Sequence, residues 1–88
     1  MVDIHRCSKC ESIPYLMGYI QSTDGNHDER AYIKCPTCGN SFYMGWEEYK
    51  KAGQKVGDRK YAGNTAYLSQ EFINVLNDET IMEWNRRN

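Results

Sequence analysis

The stretch IKCPTCGNSF, residues 33–42, contains Cys35 and Cys38, the second of two Cys-x-x-Cys pairs in the 88-residue chain. The first pair is Cys7 and Cys10, and 24 residues lie between Cys10 and Cys35. A tight turn between paired cysteines lets both sulfurs reach one ion, and two such turns complete a tetrahedral four-thiolate site. The pattern therefore predicts a structural zinc site with all four cysteines as ligands.

The two turns differ in their flanking residues. Pro36 fixes φ in the second turn, and Gly39 permits a positive φ just after the second ligand. The first turn, CSKCES, has neither aid, and Glu11 stands where a glycine is usual. We expect the first turn to be less rigid without losing a ligand.

The cysteines allow two other interpretations, and the chain also contains two histidines. A redox dithiol would explain one pair but not two, and no βαβ pattern surrounds either pair. A catalytic zinc needs an open coordination position, and four cysteines leave none. His5 and His27 are favoured as solvated polar residues. The alternative for His5 is a hydrogen bond to a metal ligand.

Size and composition predict one small domain that needs a stabilising element. A chain of this length buries only roughly 60–65% of its unfolded surface, so a metal or similar constraint is expected. The hydrophobic fraction of 40% and charged fraction of 26% exclude a disordered acidic chain. A net charge of −1 argues neither for nor against DNA as a partner.

The sequence also bears on the compartment of the protein. No apolar run approaches the roughly 18 residues of a membrane span. The N-terminal segment lacks a signal-peptide core, so a reducing cytoplasm is expected.

Three β-rich segments predict the sheet. Residues 13–21 and 31–34 flank a turn signal at Asp24 and Gly25, which predicts a hairpin joining the two cysteine turns. Residues 41–46 are expected to form a third strand. The predicted fold class is a small α+β zinc ribbon. It has a three-stranded antiparallel sheet with two Cys-x-x-Cys turns, plus one or two C-terminal helices.

Six aromatic residues fall on the predicted strands: Tyr15, Tyr19, Tyr32, Phe42, Tyr43 and Trp46. Packing in the core or on the sheet is the favoured interpretation. A stacking platform for single-stranded nucleic acid is the alternative. Residues 1–49 carry four basic and seven acidic side chains, net −3, which favours packing.

The segment after the ribbon divides into a basic loop and an amphipathic helix. Residues 50–60 have a net charge of +4 from Lys50, Lys51, Lys55, Arg59 and Lys60 against one aspartate. A solvated loop is favoured, with contact to phosphate or an acidic protein as the functional alternative. Within residues 65–76, an apolar helix face comprises Leu68, Phe72, Val75 and Leu76. It is expected to pack on the ribbon rather than in a partner's groove.

The last residues, 78–88, predict a short terminal helix capped by Asn77 or Asp78. Ile81 and Trp84 share one of its faces, so Trp84 is expected to close the core over the zinc-bearing sheet.

The predicted domain organisation is a single domain, 1–88. It consists of a ribbon (1–46), an insertion of basic loop and amphipathic helix (47–76) and a terminal helix (77–88).

The chain resembles the restriction alleviation protein Lar family of phages and prophages, which are short zinc ribbons with a terminal Ile-x-x-Trp-Asn-x-Arg helix. The matching residues are Cys7, Cys10, Cys35, Pro36, Cys38, Gly39, Ile81, Trp84, Asn85 and Arg87. The match covers about residues 5–46 and 77–88. The first turn lacks the family's proline and glycine, and the stretch from Tyr49 to Leu76 is longer than the usual link.

The resemblance implies a non-enzymatic accessory protein in the host bacterial cytoplasm. It would bind and modulate a host restriction–modification complex or another DNA-processing enzyme, with no membrane and no small-molecule substrate. The insertion, with its five cations, is expected to carry the specificity. A nucleic-acid-binding zinc ribbon, or a transcription accessory contacting DNA or RNA polymerase, is the second hypothesis. A purely structural zinc module is the third.

Overall fold

The computed structural model describes residues 2–21, 29–56 and 68–88. The predicted turn at Asp24 and Gly25, His27 and the predicted helix start at 65–67 lie outside these ranges. The elements, in chain order, are β1 (Tyr15–Met17), β2 (Tyr32–Lys34), β3 (Ser41–Tyr43), α1 (Trp46–Val56) and α2 (Gln70–Arg87).

The three strands form an antiparallel sheet in the order β1-β2-β3. Leu16, Ile33 and Phe42 are aligned across it. All three pack in the core, because side chains alternate between the two faces of a sheet. A bridge between Ile20 and Glu29 extends the β1-β2 pairing. The small α+β zinc-ribbon architecture is therefore confirmed.

Helix α1 replaces the predicted end of the third strand and part of the predicted loop. The strand ends at Tyr43, and α1 begins at Trp46. The Glu48 carboxylate accepts a hydrogen bond from the Gly45 N–H at 2.7 Å, which caps the helix N-terminus. Glu47 also places negative charge in the first turn, where the helix dipole favours it.

Helix α2 is one continuous helix of 18 residues, so the predicted break before residue 78 is wrong. Its N-cap is Ser69, whose hydroxyl accepts from the Phe72 N–H at 3.1 Å. Asn77 lies inside the helix, and its side-chain oxygen accepts from the Tyr19 N–H at 2.9 Å. Asn77, which was predicted as a possible helix cap, therefore makes a tertiary hydrogen bond instead.

The core consists of two clusters, and α2 contributes to both. The first contains Ala31, Met44, Ala52, Leu68, Phe72, Ile73 and Leu76, with Val75 packed against it. The second contains Cys7, Ile33, Cys35, Ile81 and Trp84. The predicted apolar helix face therefore packs inside the protein, in part against α1. Neither described helix combines the length and apolar character needed to cross a membrane.

Candidate metal centre

The structure brings the four predicted cysteines together. Their sulfurs all lie within 4.8 Å of one another. The Sγ atoms of Cys7 and Cys38 are 3.6 Å apart, and those of Cys10 and Cys35 are 3.3 Å apart. Ligands about 2.3 Å from a tetrahedral ion are spaced by roughly 3.8 Å. The cluster therefore fits one metal ion held by four sulfurs.

The two cysteine turns have the same backbone hydrogen bonds. Gly39 donates its N–H to the Cys35 carbonyl at 3.0 Å, and Glu11 donates to the Cys7 carbonyl at 2.7 Å. Both donors have a positive φ, 79° at Gly39 and 61° at Glu11. The first turn thus adopts the glycine-type conformation without a glycine.

The proton affinities of the thiols differ strongly. Burial raises the pKa of Cys7, but hydrogen bonds from the Asn40 side chain and from the backbone of Lys9 and Cys10 outweigh it and lower the pKa to about 6. For Cys38, a backbone hydrogen bond from Asn40 lowers the pKa, yet burial and the neighbouring sulfurs raise it to about 11. Four sulfurs this close repel one another as thiolates, and a cation among them removes that repulsion.

Trp84 closes the core over this centre, as predicted. Its indole is 1% exposed and packs in the cluster with Cys7 and Cys35. Its Nε1–H donates to the His5 carbonyl at 2.9 Å, so the ring's polar atom is also satisfied. His5 itself is exposed and contributes backbone groups to these contacts.

Asn85 fastens the N-terminal segment to the end of α2, a role that the sequence did not reveal. Its Oδ1 accepts from the His5 N–H at 2.8 Å, and its Nδ2 donates to the Asp3 carbonyl at 2.8 Å. The available signal was the Trp-Asn pair of the terminal motif. That pair indicated a resemblance to a family, but it did not indicate that Asn85 contacts the N-terminal segment.

Asn88 makes a second set of contacts, beside the first cysteine turn. Its Oδ1 accepts from the Ser8 N–H at 3.2 Å, the Ser8 hydroxyl at 2.9 Å and Asn40 Nδ2 at 3.2 Å. Its Nδ2 donates to the Trp84 carbonyl at 2.8 Å. Asn40 also approaches Cys7 Sγ at 3.5 Å, so this network reaches one of the four clustered sulfurs.

The predicted basic cluster is only partly within the described residues. Lys50, Lys51 and Lys55 lie on α1, so at these positions the predicted loop is wrong. Lys50 pairs with Glu47 at 3.4 Å, and Lys55 pairs with Glu79, which is buried. Arg59 and Lys60 lie outside the described residues.

The strand aromatics divide between the two faces of the sheet. Phe42 packs in the core and Tyr19 packs against it. The expected packing on the sheet is confirmed for Tyr32 and Tyr43, which stack across the strands. Tyr15, Tyr43 and Trp46 are exposed, so they do not pack in the core. They are exposed because Tyr15 and Tyr43 sit on the outward side of the strand alternation and Trp46 starts a helix.

Comparisons with protein-family models, curated proteins and solved structures find no match to this chain. Within the described residues, the geometry offers a four-sulfur centre and two surfaces that expose aromatic side chains. One surface is the exposed side of α1, with Trp46 and the lysines. The other is the outer face of the sheet, with Tyr15 and Tyr43.

Proposed function

We propose that the four cysteines hold one zinc ion with a structural role. The sulfur spacing and the two Cys-x-x-Cys turns support zinc, which favours four thiolates in a tetrahedron. Four protein ligands leave no position for substrate or water, so the ion would stabilise the fold and take no part in chemistry. Cys7 and Cys35 are buried in the second core cluster, so the ion would join the sheet to α2.

We propose further that the protein is a non-enzymatic phage or prophage accessory protein. It binds a host restriction–modification complex or another DNA-processing enzyme and modulates it by occupying a surface. The resemblance of the cysteine turns and of Ile81, Trp84, Asn85 and Arg87 to the Lar family supports this proposal. Trp84 and Asn85 both hold the N-terminal segment against α2, which gives a physical reason for that motif.

The observation that carries the proposal is the exposure of Trp46 on α1. This indole is 67% exposed and stacks on Tyr49 with ring centroids 5.3 Å apart, so it is held in place while facing solvent. Exposed tryptophans that are already oriented are common anchors of protein interfaces. Trp46 and Lys51 line one cleft of about 500 Å³.

Lysines around this anchor would favour an acidic partner. Lys50 and Lys51 are exposed on the same helix, and cations at an interface rim raise the association rate with a negatively charged surface. The same cleft is also lined by Glu47, Glu48 and Glu83, and Lys50 pairs with Glu47, so Lys51 is better placed than Lys50 to contact an acidic partner. The proposed interface combines one aromatic anchor with a rim of both charges.

The test is restriction of an unmodified phage in bacteria that express the protein. Wild type should protect the phage, and Trp46→Ala should reduce protection several-fold or more, because anchor residues contribute upward of about 2 kcal/mol. Ile13→Ala is the matched control, since Ile13 is 65% exposed and lies outside α1.

The charge of α1 provides a second test. Lys50→Glu combined with Lys51→Glu should slow association with the host enzyme and leave the metal content of the protein unchanged. Lys55 is left intact because it neutralises buried Glu79.

Two results would contradict the proposal. Absence of protection by the wild type would argue against the restriction-related function. Equal protection by Trp46→Ala and the wild type would remove α1 as the interface. The second hypothesis, a ribbon that contacts nucleic acid, is favoured by the outer face of the sheet, which adjoins the Trp46 cleft at Tyr43.

A further inference from the structure

The outer face of the sheet is a small array of six side chains: Tyr15, Met17, Tyr32, Lys34, Ser41 and Tyr43. The strand register places them in two rows of three, and the row between them points into the core. Tyr15 is 41% exposed and Tyr43 is 48% exposed. Half of the array is therefore tyrosine, on a rigid scaffold beside the metal centre.

The tyrosine rings are already arranged for stacking. Tyr32 and Tyr43 stack on one another across the strands, with centroids 4.8 Å apart and an angle of 26° between the planes. The Arg30 guanidinium lies over the Tyr43 ring, 5.7 Å from its centroid. A planar group bound here would extend an existing column of ring and guanidinium. Such a column suits a nucleobase.

The charges of this face suit a phosphate chain. The six positions include one cation, Lys34, and no carboxylate, although the whole chain has 12 acidic residues and a net charge of −1. Arg30 adds a second cation at the edge, and Glu29 is the carboxylate beside it in a shallow cleft of about 330 Å³. Lysine is depleted in the cores of protein interfaces, whereas cations among aromatic rings are typical of nucleic-acid sites.

We infer that the outer sheet face binds single-stranded nucleic acid. Bases stack on Tyr15 and on the Tyr32–Tyr43 pair, and the phosphates approach Lys34 and Arg30. Strands are spaced by about 4.8 Å, so Tyr15 on β1 and Tyr43 on β3 are separated by roughly 10 Å across the sheet. A few nucleotides span that distance. Paired bases cannot offer their faces to the rings, so duplex is not the ligand. This inference does not rest on the proposed function, although the two surfaces adjoin at Tyr43, which also lines the cleft beside Trp46.

The test is fluorescence anisotropy with the metal-loaded full chain and a labelled oligothymidylate of about 10 nucleotides, within the usual site sizes. The key variant combines Tyr15→Ile and Tyr43→Ile, which keeps apolar strand-forming side chains but removes two stacking rings. Its binding should weaken at least about 10-fold, because each stacked base contributes about 1–3 kcal/mol, or roughly 5-fold and more. The matched control, Tyr15→Phe with Tyr43→Phe, should bind within about 2-fold of wild type, because stacking needs the ring and not the hydroxyl. Metal content should stay unchanged in both. The phenylalanine variant should melt like the wild type, and the isoleucine variant should melt slightly lower, because it loses the stack of Tyr43 on Tyr32.

Three outcomes would overturn the inference: no binding of the oligonucleotide, equal binding by the isoleucine variant, or equal binding of the matched duplex. If the isoleucine variant loses phage protection while the wild type binds no oligonucleotide, the face is a protein interface instead. Conversely, a wild type that binds the oligonucleotide but gives no protection supports the inference and contradicts only the restriction-related function.

Discussion

At the scale of single residues, Glu11 holds a conformation that glycine usually supplies. Its φ of 61° lies in the left-handed region, as does the 79° of Gly39 at the equivalent place in the second turn. For a residue with a Cβ, this conformation costs roughly 1–2 kcal/mol. The same backbone hydrogen bonds close both turns, so geometry around the two cysteines is maintained at the expense of local strain.

Replacing Glu11 by glycine should therefore stabilise the protein. We expect Glu11→Gly to raise the free energy of unfolding by about 1 kcal/mol, because relief of strain exceeds the entropy that glycine adds to the unfolded chain. Urea unfolding of the metal-loaded protein measures the change. Gly39→Ala is the control. It should lose about 1–2 kcal/mol through conformation alone, since the added Cβ would meet nothing within 4 Å. A destabilised Glu11→Gly would show that the glutamate side chain has a role that the strain argument omits.

Trp84 is the largest fully buried side chain, and it links the C-terminal helix to the cysteine turns. Trp84→Ala should cost about 3–5 kcal/mol, close to the whole stability of a small domain, and should lower the melting temperature sharply. Trp84→Phe should lower the free energy of unfolding by less, because phenylalanine keeps most of the packing and gives up only the hydrogen bond to the His5 carbonyl. If Trp84→Ala melts like the wild type and yet loses its partner, the residue is an interface anchor.

The residue scale also shows which site residues can be predicted from sequence. The cluster of four cysteines was predictable because two residues separate the cysteines of each pair, and a local turn fixes their geometry. The contact of Asn85 with His5 joins residues 80 positions apart, and the contact of Asn88 with Ser8 has the same separation. No local pattern encodes such pairs. Similarly, Asn40 was not predictable as a donor to Cys7, because the contact joins two separate turns.

At the scale of elements, α2 shows how a tertiary contact overrides a local signal. The run at residues 77–80 resembles a helix N-terminus, because asparagine, aspartate and glutamate favour that position. In the structure Asn77 binds the Tyr19 N–H, Glu79 pairs with Lys55, and the Thr80 hydroxyl donates to the Leu76 carbonyl at 2.8 Å. Asn77 and Glu79 therefore have partners on other segments of the chain, and Thr80 bonds to a carbonyl of the same helix, so the helix continues through these polar residues. The sequence predicted the two apolar halves of α2 but not that they form one continuous helix.

The location of the helix start can be tested by removing caps. Ser69→Ala should lower the free energy of unfolding by about 1 kcal/mol, because the Phe72 N–H loses its acceptor. Asp78→Ala should change it by less than about 0.5 kcal/mol, as expected for a position inside a helix. Thermal or urea unfolding of the two variants side by side provides the measurement. A larger loss for Asp78→Ala than for Ser69→Ala would restore a second helix start near residue 78.

At the scale of the whole molecule, the ribbon and the helical C-terminal region were predictable, but helix α1 and its packing on α2 were not. Alternating β-formers and two cysteine turns specify the sheet by local rules. Helix α1 was missed because its cap is Gly45 with Glu48, and the usual serine, threonine or aspartate signal is absent. The packing of α1 on the N-terminal half of α2 then forms a core cluster separate from the metal centre. That division follows from long-range contacts, for which the sequence carries no direct signal.

The metal should be required for this arrangement to fold. Structural zinc contributes roughly 10–16 kcal/mol of apparent binding free energy in small finger peptides, as much as the roughly 5–15 kcal/mol total stability of a typical domain. Chelation under reducing conditions should therefore abolish the circular dichroism of the native state, and added zinc should restore it. Cys35→Ser should be largely unfolded in the same buffer. Because α2 belongs to both core clusters, loss of the cluster around Cys7 and Cys35 should also destabilise the packing of α1. Elemental analysis that finds a well-folded sample without metal would contradict both the zinc site and this coupling.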